Sequence, residues 1–169
     1  SGSCYGGELD INLASAADQV STDPTRIFLL GEIIHNPEVN EQIEMMGILA
    51  ISSRPSMEEL EDLTSEDVVI IPAFGTEVGT RQIIQEKGCV IVDTTCGDVM
   101  SVWKRVKQYS KDRVTSIIHG KAWHEETKAT SSQATAYSGH YLVTFTLEET
   151  DRICDYILHG GDKADFLTI

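Results

Sequence analysis

The chain has 169 residues, enough to bury a core in one compact domain or two small ones without disulfides. Hydrophobic residues make up 41% of the sequence and charged residues 24%, the composition of an ordinary soluble globular protein. The formal net charge of -14, with only 13 lysines and arginines, argues against a nucleic-acid partner. No apolar run reaches the ~20 residues of a membrane span, so no membrane partner is expected either.

Strand and helix patterns alternate along the chain. The first half predicts a helix over 7–20, a strand over 26–34, a helix over 37–46, a strand over 47–52 and a loose connection over 50–67 with one short acidic helix. It is followed by a strand over 67–73, a helix over 76–87, a strand over 89–94, a helix over 98–110, strands over 114–119 and 141–145, and a helix over 147–158. Because several strands are apolar throughout, the alternation predicts an α/β fold with parallel sheets covered by helices.

Polar residues follow the predicted strands at their carboxyl ends, where open α/β sheets bind ligands. These residues are His35 in EIIHNP, Cys96 in DTTCGD, and His119, His124, Glu125 and Glu126 in IIHGKAWHEE. Cys4 precedes the first predicted helix in the glycine-flanked loop GSCYGG. The sequence therefore predicts that cysteines, histidines and a carboxylate face one crevice.

The four cysteines, Cys4, Cys89, Cys96 and Cys154, are far apart and form no CxxC pair. This spacing argues against disulfides and so favours a reducing compartment. It also argues against a structural zinc site. Nearby glycines are expected to leave the thiols of Cys4 and Cys96 uncovered. Cys89 lies inside an apolar run and Cys154 on the apolar face of the last helix, so both are predicted to be core residues. His140 and His159 flank loop glycines and are predicted to be solvated.

Six blocks of sequence occur in the order and at roughly the intervals seen in one enzyme family: GSCYGGELDINLA, GEIIHNPEVN, VVIIPAFG, VIVDTTCGDVMSVW, SIIHGKAWHEETKAT and RICDYILHGG. Together they resemble 4-hydroxy-3-methylbut-2-enyl diphosphate (HMBPP) reductase, the LytB family, in the branch found in cyanobacteria and plastids. The resemblance implies a three-lobed α/β iron–sulfur reductase, with residues 1–96 and 97–169 as the first two lobes. It also implies an oxidoreductase of non-mevalonate isoprenoid biosynthesis that converts HMBPP to isopentenyl and dimethylallyl diphosphates.

The resemblance also implies roles for individual residues. Cys4 and Cys96 match two of the three thiolates that hold a central [4Fe-4S] cluster, and the third would lie in a third lobe beyond DKADFLTI. His35 and His124 match histidines that bind the diphosphate, with His124 also near the hydroxyl. Glu126 matches the carboxylate that supplies protons to the departing hydroxyl, because water leaves more easily than hydroxide. The adjacent Glu125 is expected to point elsewhere.

The partners implied are the small-molecule diphosphate and an electron donor such as ferredoxin, and a homo-oligomer is left open. The implied location is a bacterial cytoplasm or the plastid stroma. With only two of three thiolates, and without the third lobe's part of the diphosphate site, the chain by itself is expected to hold no stable cluster and to bind a diphosphate weakly.

Some positions depart from the family pattern. After Cys96, the usual proline, threonine and lysine are absent from the run Gly97, Asp98, Val99, Met100, Ser101, and Phe74 stands where some members carry a histidine. These departures leave a second interpretation open, a shortened, catalytically inactive homologue that acts as a binding or interaction module. A third interpretation, a flavin- or nucleotide-binding domain, is poorly supported because GTEVGT and GSCYGG are poor phosphate-binding loops.

Overall fold

The computed structural model describes residues 27–162, in which six strands alternate with six helices. The strands are β1 Ile27–Leu30, β2 Leu49–Ile51, β3 Val68–Ile71, β4 Val90–Asp93, β5 Ser116–His119 and β6 Tyr141–Thr144. The helices are α1 Pro37–Met45, α2 Met57–Glu61, α3 Val78–Glu86, α4 Gly97–Lys111, α5 Glu125–Ala136 and α6 Leu147–His159. The predicted helix over 7–20 and Cys4 lie outside the described residues.

The strands form two parallel sheets, which confirms the predicted fold class. The first sheet has four strands in the order β2-β1-β3-β4, and the second pairs β5 with β6. All four carboxyl ends of the first sheet therefore lie at one edge. The first sheet ends with β4 and the second begins with β5, while α4 lies between them in sequence and packs on α5. The division into lobes 1–96 and 97–169 stays a prediction.

The core lies on both faces of the first sheet because β3 is buried along its whole length. Successive strand residues point to opposite faces, so Val68 and Ile70 join one apolar cluster, while Val69 and Ile71 join the other. Cys89 belongs to the second cluster, as predicted, and its thiol donates to the Thr64 carbonyl at 3.2 Å. Burial raises the pKa of the Cys89 thiol, so it remains protonated and is poorly suited to bind metal.

The sequence patterns missed helix α5 and overextended β1. β1 ends at Leu30 because Gly31 adopts a positive φ of 74°, which turns the chain out of the sheet. α5 is rich in threonine and serine, which are not strong helix formers. Tertiary packing overrides that preference, because the buried Ala129 and Ala134 let α5 approach its neighbours closely.

Cys154 is exposed, and the prediction that it belongs to the core is wrong. Only Ile153 of helix α6 is buried, while Ile157 is 65% exposed and Leu158 is 72% exposed. The apolar face that led to the prediction is therefore largely in contact with solvent, together with the Cys154 thiol. His140 and His159 are exposed, as predicted. Within residues 27–162, none of the helices combines the length and apolar character required to cross a membrane.

Candidate functional site

His35 lies in the loop that follows β1, and hydrogen bonds hold this loop at both ends. The Gly31 N–H donates to the Ile51 carbonyl at 2.7 Å. The Asn40 side chain accepts from the Ile33 N–H at 3.1 Å and donates to the Ile34 carbonyl at 2.9 Å. Asn36 then caps α1 ahead of Pro37, a favourable first helical residue. The His35 side chain, 53% exposed, is thus presented from an ordered turn.

His124 lies at the opposite side of the site, as the N-cap residue of α5. Its Nδ1 accepts a hydrogen bond from the Glu126 backbone N–H at 3.2 Å, and so satisfies one of the free donors at the helix start. The His124 N–H donates to the Lys121 carbonyl at 3.0 Å. Nearby, Arg54 donates to the Trp123 carbonyl at 2.6 Å, which joins the loop after β2 to the loop before α5.

His35 and His124 are in direct contact although 89 positions separate them in sequence. Their Nε2 atoms lie 3.0 Å apart, and their rings meet edge to face at a centroid distance of 5.1 Å. Phe74, which follows β3, stacks on His35 at 4.2 Å and meets His124 edge to face at 5.7 Å. Two histidines from different βα units are thus fixed against one aromatic ring.

Cys96 is connected to the same edge of the sheet. Its backbone N–H donates to the carbonyl of Ala73, the residue before Phe74, at 3.0 Å. It is the N-cap residue of α4, and its half-buried thiol is free. The two preceding threonines anchor this turn, since the Thr94 hydroxyl donates to the Ile71 carbonyl at 2.6 Å and the Thr95 hydroxyl donates to Asp93 at 2.5 Å.

Asp93 is the charged group that organises the exit of β4. Burial opposes ionisation of this carboxyl, but hydrogen bonds from Thr95 and Arg81 outweigh that cost and lower its pKa. Arg81, on α3, forms an ion pair with it. Asp93 therefore remains ionised and holds the turn that carries Cys96.

The two glutamates after His124 point into different cavities. Glu125 lines a cavity of about 340 Å³ together with His35 and Phe74, and its Oε1 accepts from the Ser53 hydroxyl at 3.2 Å. Glu126 lines a cavity of about 770 Å³ together with His124. Glu125 therefore points elsewhere than Glu126, as expected, because residues that follow one another on a helix face different directions.

A hydrogen bond from its own backbone N–H lowers the pKa of Glu125 despite partial burial. The Ser53 hydroxyl and the charges of His124 and His35 act in the same direction. Glu125 is therefore a stable carboxylate beside the histidine pair.

The predicted single crevice is divided into two cavities. His35 lines the smaller, His119 and Glu126 line the larger, and His124 joins the two because it lines the larger and contacts His35. Cys96 lines neither cavity.

The three cysteines of the described segment differ in how well they suit an iron–sulfur cluster. Cys96 fits, since its thiol is free and half-buried at the exit of β4. Cys89 is buried and protonated in the core, and Cys154 lies on the exposed helix α6. Residues 27–162 therefore supply one suitable thiolate, which does not by itself fit a [4Fe-4S] cluster.

Glu32 and Ser53 also belong to the site, although no sequence pattern identified them. The Glu32 Oε2 accepts from Nδ1 of His35 at 3.2 Å. The signal for Glu32 was its position three residues before His35 in EIIHNP. Ser53 was recognisable only after strand order was known, because the pairing of β2 with β1 brings the loops after these two strands together.

The sequence comparisons point to one family. A profile of the LytB protein family matches residues 1–164. The chain is 45% identical to 4-hydroxy-3-methylbut-2-enyl diphosphate reductase of Gloeobacter violaceus and 45% identical to the reductase of the same name from Thermosynechococcus vestitus. Each alignment covers 98% of this chain and 40% of the relative. The chain thus spans about 40% of the length of these curated relatives.

Two solved structures share the fold. One, of (E)-4-hydroxy-3-methyl-but-2-enyl diphosphate reductase, described as the terminal enzyme of the non-mevalonate pathway, matches with a TM-score of 0.73 at 28% identity, over 88% of this chain and 50% of that chain. The other, of E-1-hydroxy-2-methyl-but-2-enyl-4-diphosphate reductase from Plasmodium falciparum, matches with a TM-score of 0.76 at 24% identity, over 89% and 44%. These matches confirm the resemblance drawn from the six sequence blocks.

Proposed function

The chain belongs to the LytB protein family, and we propose that it provides the first two lobes of an HMBPP reductase of isoprenoid biosynthesis. The reaction removes the allylic hydroxyl of HMBPP with two electrons and two protons, and releases water with isopentenyl or dimethylallyl diphosphate. An electron donor such as ferredoxin would supply the electrons. We place the protein in a bacterial cytoplasm or in the plastid stroma.

The observation that carries this proposal is the contact between His35 and His124 across two loops. Their Nε2 atoms, 3.0 Å apart, form a compact pair of ring nitrogens against Phe74. The pair adjoins the N-terminus of the 12-residue helix α5, where the dipole favours an anion. In a chain with a net charge of -14, such local donors are what a diphosphate site requires.

Glu126 is the proposed proton donor. It lies on the first turn of α5, is exposed to the larger cavity, and follows His124 by two residues. Glu125 is less suited to this role because its lowered pKa keeps it ionised. A general acid must be protonated when the hydroxyl leaves, so Glu126 and not Glu125 is the proposed acid.

Cys4 and Cys96 are the proposed cluster ligands of this chain, and a [4Fe-4S] cluster would need a third thiolate from outside it. Such a cluster supplies one-electron transfer. Because the described residues contain one suitable thiolate, the chain by itself is proposed to be inactive as a reductase.

The inactive-homologue interpretation is favoured by one observation at α4. Ser101 stands where a lysine is usual in the family, and its hydroxyl donates back to the Gly97 carbonyl at 2.9 Å. A short, self-bonded hydroxyl cannot replace a cationic side chain near a cluster or an anion. The helix forms without the usual residues, so these departures do not prevent α4 from folding.

The test is turnover by the full-length protein, with the cluster assembled anaerobically and a low-potential electron donor supplied. Formation of isopentenyl and dimethylallyl diphosphates from HMBPP supports the reductase. A protein that retains its cluster and binds HMBPP but yields no product would instead support the inactive homologue. The matched variant is Ser101→Lys, which should raise turnover only if the missing lysine limits the reaction.

A further inference from the structure

The ring nitrogens of His124 and His35 belong to one row of hydrogen bonds in which every donor can be assigned. A backbone N–H can only donate. Nδ1 of His124 accepts from the Glu126 N–H at 3.2 Å, so this nitrogen carries no proton. The ring proton of His124 is therefore on Nε2.

The position of the ring proton on His124 determines its position on His35. The Nε2–H of His124 donates to Nε2 of His35 across 3.0 Å, so the second nitrogen must be an acceptor. The ring proton of His35 is then on Nδ1, which donates to the Glu32 carboxylate at 3.2 Å. With both rings neutral, all three hydrogen bonds have one donor and one acceptor.

This row of bonds also argues against a metal ion at the pair. Ligand atoms of His35, His124 and Glu125 lie within 4.8 Å of one another, a spacing that would suit a divalent cation. A cation would need a lone pair on Nε2 of His124. That nitrogen carries the proton, because Nδ1 is engaged in the cap of α5.

We propose that anion binding at this pair takes up one proton, that Nε2 of His35 receives it, and that Glu32 is the positioning residue that stabilises the resulting imidazolium. This inference rests on the proposed diphosphate function. Nε2 of His35 must become a donor before it can bind a phosphate oxygen, and its Nδ1–H is already held by Glu32. His124 already has an Nε2–H to offer, so it stays neutral and keeps its cap. The two histidines therefore have different protonation roles.

The charges around the pair favour a cation at His35. Glu32 lies on the same loop, and Glu125 approaches from α5. The stacked face of Phe74, 4.2 Å away, favours a cationic ring over a neutral one. The other charged side chains at the neighbouring cavities are Arg54, Glu77, Arg105, Lys121, Glu126 and Lys128.

The test uses inorganic pyrophosphate as the probe and the full chain as it stands. Calorimetry in buffers of different ionisation enthalpy measures protons taken up per anion, expected to be about one at about pH 7.5. Glu32→Gln should weaken pyrophosphate binding about tenfold at that pH, and the loss should shrink as the pH is lowered to about 6. Glu38→Gln is the matched control, since Glu38 lies three residues after His35 with its side chain in solvent.

Nitrogen NMR of the two imidazoles provides the second measurement. The free protein should show a proton on Nδ1 of His35 and on Nε2 of His124, and bound pyrophosphate should add one to His35 alone. Protonation of His124 Nδ1, or pyrophosphate binding without proton uptake, would overturn the inference and leave the diphosphate site standing. If pyrophosphate at high concentration leaves the imidazole signals of both histidines unchanged at about pH 6, the diphosphate site itself is wrong, and so is the proposed proton uptake.

Discussion

The four-stranded sheet and the two-stranded sheet differ in how they are stabilised. Strand β3 is buried on both faces by two apolar clusters, while β5 and β6 each bury only one residue. His35 projects from the first sheet and His124 from the connection between β5 and α5. The site therefore joins a well-packed region to a more open one, and its geometry depends on contacts between them.

The largest expected effect is a loss of stability when a core residue of the first sheet is truncated. Ile70→Ala removes a fully buried side chain from β3 and should lower the free energy of unfolding by about 2 to 5 kcal/mol. Ile117 in β5 is 48% exposed, so Ile117→Ala should cost about 1 kcal/mol or less. Urea unfolding of both variants measures the losses. Equal losses would show that the second sheet is packed as tightly as the first.

The next effect concerns the two glutamates of α5, one facing each region. In a full-length, cluster-loaded protein, Glu126→Gln should lower kcat by ~100-fold, the usual scale for a lost general acid. Glu125→Gln removes a negative charge beside the histidine pair and should instead lower KM for the anionic substrate. Steady-state kinetics separates the two. If Glu125→Gln causes the larger fall in kcat, the proton donor has been assigned to the wrong carboxylate.

A substitution at Gly75 tests the packing between the two regions. It has a positive φ of 76°, and a Cβ there would lie 2.2 Å from the Trp103 ring of α4. Gly75→Ala should therefore cost more than the ~1–2 kcal/mol that left-handed backbone costs alone. Gly47→Ala is the control, with a φ of 81° and nothing within 4 Å of the added atom. Thermal unfolding of the two variants should differ, and similar values would mean that Trp103 moves aside freely.

The smallest expected effect is a gain in stability from a substitution at the start of α4. Cys96 has φ -57° and ψ 138°, the conformation that a following proline requires, and a Cβ at Gly97 would meet open space. Gly97→Pro should stabilise the protein by about 0.4 to 1 kcal/mol. Met100→Pro should cost about 3 kcal/mol, because it removes the bond from the Met100 N–H to the Cys96 carbonyl. A loss at position 97 would indicate a strained turn at Cys96.

Sequence patterns predicted the sheets well because β-branched, apolar runs such as Val68–Ile71 have few alternatives to a buried strand. They failed at α5, where threonines and serines have weak local preferences and packing against α4 and α3 decides the structure. They also failed at Cys154, because an apolar helix face does not by itself show what covers it.

The site was predictable in part for the same reason. The positions of His35 and His124 at strand exits follow from parallel-sheet topology, so their placement near one edge was expected. The 3.0 Å contact between them, and the roles of Glu32 and Ser53, depend on turn geometry and strand order. Which of Glu125 and Glu126 faces the pair depends on the phase of α5, and that phase is set where His124 caps the helix.

The exposed thiol of Cys154 affects how the protein must be handled. Among the described cysteines, Cys154 is the most accessible, Cys96 is half-buried and Cys89 is buried. Alkylating reagents should therefore modify Cys154 first and Cys89 last. In air, two chains joined through Cys154 would migrate as a covalent dimer on a non-reducing gel, so the native oligomeric state should be measured under reductant or with Cys154→Ser.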